Sequence, residues 1–257
     1  MPEIHPTAIV DSKAELADDV KIGPFTIVQG DVVIESGTEI DAHALIADGA
    51  RIGKNCKFHH GAVIGSVPQD LKFGGEKTTL EIGDNTIVRE YCDLNRGTEH
   101  RERTVVGKNC FLMAYTHVAH DCIIGEQVII ANAVQMAGHV TVEDWVIIGG
   151  MVPIHQFVTI GQHCFVGGGY RVTQDIPPYI LAADEPLTYK GLNVVGLKRR
   201  GFSKEAIRAL QQLYRLFYRS GLNKSQALEA IRAEVPELPE VQNVIEFIGK
   251  SERGLIR

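Results

Sequence analysis

The chain predicts an all-β solenoid with an α-helical tail: a parallel β-helix of hexapeptide repeats followed by a small C-terminal helical domain. Three observations carry this. From Val106 an aliphatic residue recurs at every sixth position, through Leu112, Val118, Ile124, Ile130, Met136, Val142, Ile148, Ile154, Ile160 and Val166 to Val172. Four residues after most anchors stands a small or β-branched residue, among them Cys110, Thr116, Cys122, Val128, Val134 and Cys164. Beyond Ile176-Pro177-Pro178 the sixfold rhythm gives way to helical spacing. A hexapeptide period is a signature of parallel β-helices, and it fits neither a 3.6-residue turn nor simple alternation. The chain must turn a corner once per hexad. Three hexads close a triangular coil, and coils stack at strand spacing, roughly 4.8 Å.

Taken in order, the frame begins by Val10 and continues through Leu16, Ile22, Val28, Ile34, Ile40, Ile46, Ile52, Phe58 and Ile64. It fails between Gly65 and Leu80, returns at Ile82, Val88 and Leu94, fails again around His100-Arg101-Glu102-Arg103, and resumes at Val106. Both interruptions keep the sixfold phase, so they read either as extruded loops, near 65–81 and 99–105, or as coils with a distorted edge. Long loops on a regular scaffold are favoured places for function. The β-helix is assigned to residues 1–185 and the helical domain to 186–257. In the latter, Ser203 is an N-cap for a helix with Ile207, Leu210, Leu213, Tyr214 and Phe217 on one face, and Gly221 is its stop. Asn223 with Gln226 resembles a capping box, and another helix follows Pro239. This domain is expected to cover the last coil, whose strand edges would otherwise stay unpaired.

The net charge of -6 argues against nucleic-acid binding by the surface as a whole. No leader and no apolar run of ~18 residues is present, so no transmembrane segment is expected and a cytoplasmic location is. The five cysteines, Cys56, Cys92, Cys110, Cys122 and Cys164, all occupy the +4 slot, which makes them buried fillers rather than disulfide or zinc ligands. Outer faces carry apolar residues, with Phe111, Ile129, Val134 and Ile147 assigned there, and this suggests cyclic subunit packing.

His120, Gly138 and Gln156 are successively eighteen apart and should form one vertical line. His139 and His155 flank that line, and His117 precedes His120 by three. Histidine titrates near ~6.5 and can accept a proton at neutral pH. Glycine lets a carbonyl reach a main-chain N–H, the arrangement an oxyanion needs. The chemistry suggested is acyl transfer to a hydroxyl, with Asp121 a polariser of an imidazole, although adjacent side chains often point apart. His5, His43, His59, His60 and His100 read as solvated corner residues. A metal shared by three histidines is the rival, with no acidic or cysteine ligand to strengthen it. Lys198-Arg199-Arg200 reads either as a charged turn or as a phosphate or acidic-partner site.

Further motifs point to a family. Gln69-Asp70-Leu71-Lys72, Asn95-Arg96-Gly97-Thr98, His117-Val118-Ala119-His120-Asp121, Ala137-Gly138-His139, His155-Gln156-Phe157, Gly196-Leu197-Lys198-Arg199-Arg200-Gly201-Phe202 and Arg253-Gly254-Leu255-Ile256-Arg257 occur in order. Together they resemble the UDP-N-acetylglucosamine O-acyltransferases of lipid A biosynthesis across essentially the whole chain. The resemblance implies a left-handed β-helix, whereas the general crossover rule favours right-handed connections. It also implies a homotrimer with sites between subunits. The implied reaction moves an (R)-3-hydroxyacyl group from acyl carrier protein to the 3-hydroxyl of UDP-N-acetylglucosamine, with no cofactor of the enzyme's own and no covalent intermediate. His120 matches the general base, Asp121 the residue orienting it, and Gly138 the oxyanion donor. Asp70, Lys72, His117, His139, His155, Gln156 and Asn193 match substrate-contacting positions. Arg199 and Arg200 match a basic pair near the donor, and Gly168 matches a position that sets acyl-chain length. Val195 departs from a commonly acidic position. A later N-acyltransferase of the same pathway is a near rival, but it carries an extra N-terminal domain. A non-catalytic solenoid scaffold and a metal-dependent hydratase are rivals from other classes.

Overall fold

The computed structural model describes residues 1–257. Short strands wind into three parallel sheets that form the faces of a triangular prism. The first face starts at Glu3–Ile4, the second at Ile9–Val10 and the third at Glu15–Leu16. Successive coils pair residues eighteen apart, as Ile130 with Ile148 and Ile148 with Val166. The aliphatic columns therefore become continuous ribs inside the prism, and anchors such as Leu112, Ile124 and Ile130 are buried.

Most corners are turned by a residue in the left-handed region. In one coil Tyr115, Asp121 and Gln127 have φ of 64°, 59° and 58°. Such a conformation costs an L-residue about 1 kcal/mol, which burial of the anchors offsets. The winding is left-handed. The right-handed crossover rule rests on strand twist feeding a helix, and two-residue strands joined by tight corners transmit little twist.

At the +4 slot the cysteines are all buried and free. Threonines there bury their hydroxyls with a partner: Thr86 Oγ1 donates to Gly107 O at 2.8 Å and Thr38 Oγ1 to Gly53 O at 2.9 Å. Val134 is one correction to the expected outer surface. It is fully buried, because it too holds a +4 slot, while Phe111, Ile129 and Ile147 are half-buried on the first face.

The two interruptions are extruded loops. Val63 pairs with Asp93, thirty residues on, and Ile87 with Phe111, twenty-four on. Both loops connect a strand of the second face to one of the third: Val63–Ser66 to Thr79–Ile82, and Asp93–Asn95 to Arg103–Val106. They leave the prism at the same corner. That corner also carries His120.

At the far end, strand Ile180–Ala183 adds to the first face and pairs antiparallel with Thr188–Leu192. Four helices follow: α1 (Val194–Arg199), α2 (Lys204–Arg219), α3 (Lys224–Glu234) and α4 (Pro239–Lys250). Ser203 caps α2, Asn223 and Gln226 form a capping box on α3, and Pro239 opens α4. The short α1, capped by Asn193, has no apolar periodicity to announce it in the sequence. Tyr214 Oη donates to Pro178 O at 2.6 Å, and Ser251 Oγ to Asp175 Oδ2 at 2.7 Å, so the helices cover the end of the prism. No helix is long and apolar enough to cross a membrane.

Candidate active site

The corner between the second and third faces is built from the left-handed turn itself. Asp121 has φ of 59°, which swings its side chain back beside that of its neighbour. His120 Nδ1 and Asp121 Oδ2 are 2.7 Å apart, so the two adjacent side chains do meet. Asp121 is completely buried. Its carboxylate accepts from Thr98 N at 3.0 Å, Thr98 Oγ1 at 2.7 Å and Arg101 N at 3.3 Å, all on the second extruded loop. Burial alone would raise the Asp121 carboxyl, but the hydrogen bonds from His120 and Thr98 outweigh it and hold the group below its ordinary range. With Nδ1–H engaged, His120 Nε2 is left as the proton acceptor.

Gly138 lies directly against that ring. A Cβ built on Gly138 would stand 2.6 Å from His120 Cε1 and 2.8 Å from Nε2, so only glycine admits the imidazole here. The Gly138 N–H has no acceptor within the backbone. His139 completes the group, 5.1 Å from His120 between ring centroids and stacked on Phe157 at 4.5 Å. Burial pushes the His139 imidazole down, partly offset by Asp121, and its Nδ1 is buried without a partner. His100 is exposed as expected of a loop residue, yet its ring meets His139 edge-on at 4.8 Å.

His117 sits three residues before His120, on the second face, with Nδ1 3.0 Å from Asp93 Oδ2. His155 and Gln156 lie above, with His155 Nδ1 3.1 Å from Arg253 Nη2 of the tail. Asp70 and Lys72 are on the first extruded loop, where Lys72 N donates to Asp70 Oδ1 at 3.0 Å. The neighbouring Gln69 reaches Asp93 at 3.4 Å, which ties this loop to the same edge.

The remaining residues singled out in the sequence lie on other edges of the prism. Gly168 is at the corner between the first and second faces, over Gly150. Asn193 and Arg200 are at the third corner. Asn193 is nearly buried as the cap of α1, accepting from Gly196 N at 3.1 Å and donating to His163 O at 3.0 Å. Arg200 is 3.2 Å from His163 Nδ1 and covers the Trp145 ring at 5.2 Å, whereas Arg199 is exposed.

His120, Asp121 and His139 offer ligand atoms within 4.8 Å of one another, the geometry of a metal site. Both Asp121 oxygens already accept hydrogen bonds, and the Arg101 side chain donates to Asp121 O at 3.0 Å, surroundings that suit an imidazole partner better than a cation. Asp93 has no sequence signal, and the contacts of Thr98 and Arg101 with Asp121 do not follow from the motifs that contain them, because loop insertions displace all three from the eighteen-residue register that links the other site residues.

Comparisons with known proteins agree with this architecture. Residues 175–256 match the model of UDP-N-acetylglucosamine O-acyltransferase domain 2, and residues 31–66 and 103–134 match the bacterial transferase hexapeptide model. The chain is 49% identical over 255 residues to the acyl-[acyl-carrier-protein]–UDP-N-acetylglucosamine O-acyltransferase of Chlorobaculum parvum, covering 99% of this chain and 97% of that one. It is 44% identical over 257 residues to the protein of the same name from Syntrophobacter fumaroxidans, covering 99% and 100%. Among solved structures, the UDP-N-acetylglucosamine acyltransferase LpxA of Bacteroides fragilis superposes with a TM-score of 0.97 at 47% identity, covering 98% and 99%. LpxA of Acinetobacter baumannii gives 0.96 at 43%, covering 99% of each. The chain belongs to the acyl-[acyl-carrier-protein]–UDP-N-acetylglucosamine O-acyltransferase family.

Proposed function

We propose that the protein transfers an (R)-3-hydroxyacyl chain from acyl carrier protein to the 3-hydroxyl of UDP-N-acetylglucosamine, the first step of lipid A biosynthesis, as a cytoplasmic homotrimer. The observation that carries this is the Asp121–His120 dyad pressed against Gly138. His120 Nε2 takes the proton of the sugar 3-hydroxyl as its oxygen attacks the thioester carbonyl. The Gly138 N–H donates to the oxyanion. Collapse of the tetrahedral adduct breaks the C–S bond, and His120 returns its proton to the phosphopantetheine sulfur, so protons and electrons balance without a cofactor of the enzyme. Asp121 holds the ring through Nδ1 and stabilises the imidazolium, the role a buried carboxylate plays in other acyl transfers.

Attack by the hydroxyl itself, with no covalent intermediate, is supported by the state of the cysteines. Cys122 adjoins Asp121 but is buried, and burial pushes its thiol up to about 12. Such a thiol is a poor nucleophile.

The spread of residues over three edges supports a trimer with sites between subunits. One substrate reaches Asp70, Lys72, His117, His139, His155 and Gln156 on one edge and Asn193, Arg199, Arg200 or Gly168 on another only if neighbouring prisms stand side by side. Arg199, free of internal partners, then suits the acidic carrier protein or its phosphate. Gly168 bounds the acyl chain. Replacement of His120 by Ala is expected to lower turnover by about 10²–10⁴-fold, the usual contribution of a general base, with melting and oligomeric state unchanged. A turnover close to that of the unaltered enzyme would overturn the assignment.

A further inference from the structure

A second carboxylate–imidazole pair stands on the same edge as the first. His117 Nδ1 is 3.0 Å from Asp93 Oδ2, and both side chains are partly exposed, at 21% and 31%. Asp93 is itself held from three sides. Ser66 Oγ donates to its Oδ1 at 2.6 Å, Gln69 Nε2 to its Oδ2 at 3.4 Å, and Asn95 Nδ2 lies 3.5 Å from both oxygens. Burial would raise this carboxyl, but the bonds from His117 and Ser66 prevail and keep it below its ordinary value. The group is therefore an ionised acceptor at neutral pH, oriented by the base of the first extruded loop.

A carboxylate fixed on Nδ1 decides which nitrogen of a histidine carries the proton, and with it what the other nitrogen offers. We infer that Asp93 is a positioning residue for the acceptor sugar nucleotide: it locks His117 with Nδ1–H toward the carboxylate and Nε2 turned to a hydroxyl of the bound sugar. The inference rests on the proposed reaction and deepens it. Asp93 does not touch the substrate; it acts through His117. Its counterpart one corner away, Asp121, does the same for His120, so the edge presents two imidazoles with assigned tautomers. The loop that bears Asp70 and Lys72 shares the anchor, because Ser66 and Gln69 bind Asp93 on the way out of the prism. Binding of the sugar and order in that loop are coupled through one carboxylate.

The test is a double-mutant cycle in the full-length enzyme, with UDP-N-acetylglucosamine as the varied substrate. Asp93→Asn is expected to raise its KM by roughly tenfold, the scale of losing one hydrogen bond to a charged group, with the KM for the acyl carrier donor unchanged. In a His117→Ala background the same replacement is expected to add nothing, because coupled residues are non-additive. Equal effects in both backgrounds would show a merely structural role and overturn the inference, as would an unaltered KM in Asp93→Asn alone. Ser66→Ala, which removes only one support of the carboxylate, should reproduce a smaller shift of the same kind and serves if Asp93→Asn folds poorly. The imidazole ¹⁵N resonances of His117 give an activity-free readout: the Nδ1–H tautomer in the unaltered enzyme, a mixture in Asp93→Asn. Persistence of one tautomer in the variant would also overturn it. Absence of any acylation of this sugar nucleotide by the unaltered enzyme would instead refute the proposed reaction, which keeps the two failures apart.

Discussion

Replacing Gly138 by alanine isolates the geometry on which the chemistry depends. The new methyl would stand 2.6 Å from His120 Cε1 and 2.8 Å from Nε2. An ordinary carbon contact needs about 3.5 Å, so the imidazole must withdraw by about 0.9 Å. A withdrawal of that size moves the ring out of the position in which its 2.7 Å bond to Asp121 holds it. Gly138 is not among the residues with positive φ, so alanine brings no backbone strain, and the main-chain N–H is retained. What is lost is the position of the base. Misplacement by about 1 Å costs on the order of 10²-fold in rate, so kcat should fall about a hundredfold while the KM for the sugar nucleotide changes little. Steady-state kinetics with a hydroxyacyl carrier protein, read beside thermal melting, make the check. A variant with nearly full kcat would refute the packing argument, and so would a loss of activity that only follows unfolding.

Two further outcomes follow from the third corner. Burial, with Arg200 beside it, pushes the His163 imidazole down to about 4 from its ordinary 6.5. The unfolded chain therefore binds this proton more readily than the folded one. The stability contributed by the neutral ring is complete above about pH 6.5 and is lost as pH falls toward 4, at most about 3 kcal/mol. Denaturant midpoints measured across that range should decline less steeply for His163→Gln, and parallel curves would contradict the assignment. Arg199→Ala should raise the KM for the acyl carrier donor without altering melting, whereas Arg200→Ala should also lower the melting temperature, since it loses the contacts to His163 and Trp145. Equal melting of both variants would contradict this division.

The prism was legible because its physics is periodic. An anchor every sixth residue dictates which side chains are inside, and eighteen-residue coils place His120 beneath Gly138 without knowledge of anything else. The same arithmetic explains Val134, whose +4 slot puts its side chain inside the prism. The parts that stayed hidden depend on departures from the period. Asp93 meets His117 at a separation of twenty-four residues, because a loop intervenes. Thr98 reaches Asp121 from within that loop, where no register applies. The contact between His120 and Asp121 needs a left-handed corner, which spacing alone does not reveal. His43 is the exposed corner residue expected, whereas His60 is half-buried; both belong to a column of rings in which Phe25 stacks on His43 at 5.0 Å and Tyr91 meets His60 edge-on at 5.3 Å. Phe25, His43 and Tyr91 share the left-handed corner conformation, and His60 fills the gap left by the corner glycine Gly61.

The most direct measurement of the whole account is the mass and linkage of the product formed from UDP-N-acetylglucosamine with a panel of (R)-3-hydroxyacyl carrier proteins. One added hydroxyacyl group is expected, attached through an alkali-labile ester at the 3-oxygen, its yield greatest for one chain length. Recovery of unmodified sugar nucleotide with every donor would contradict it.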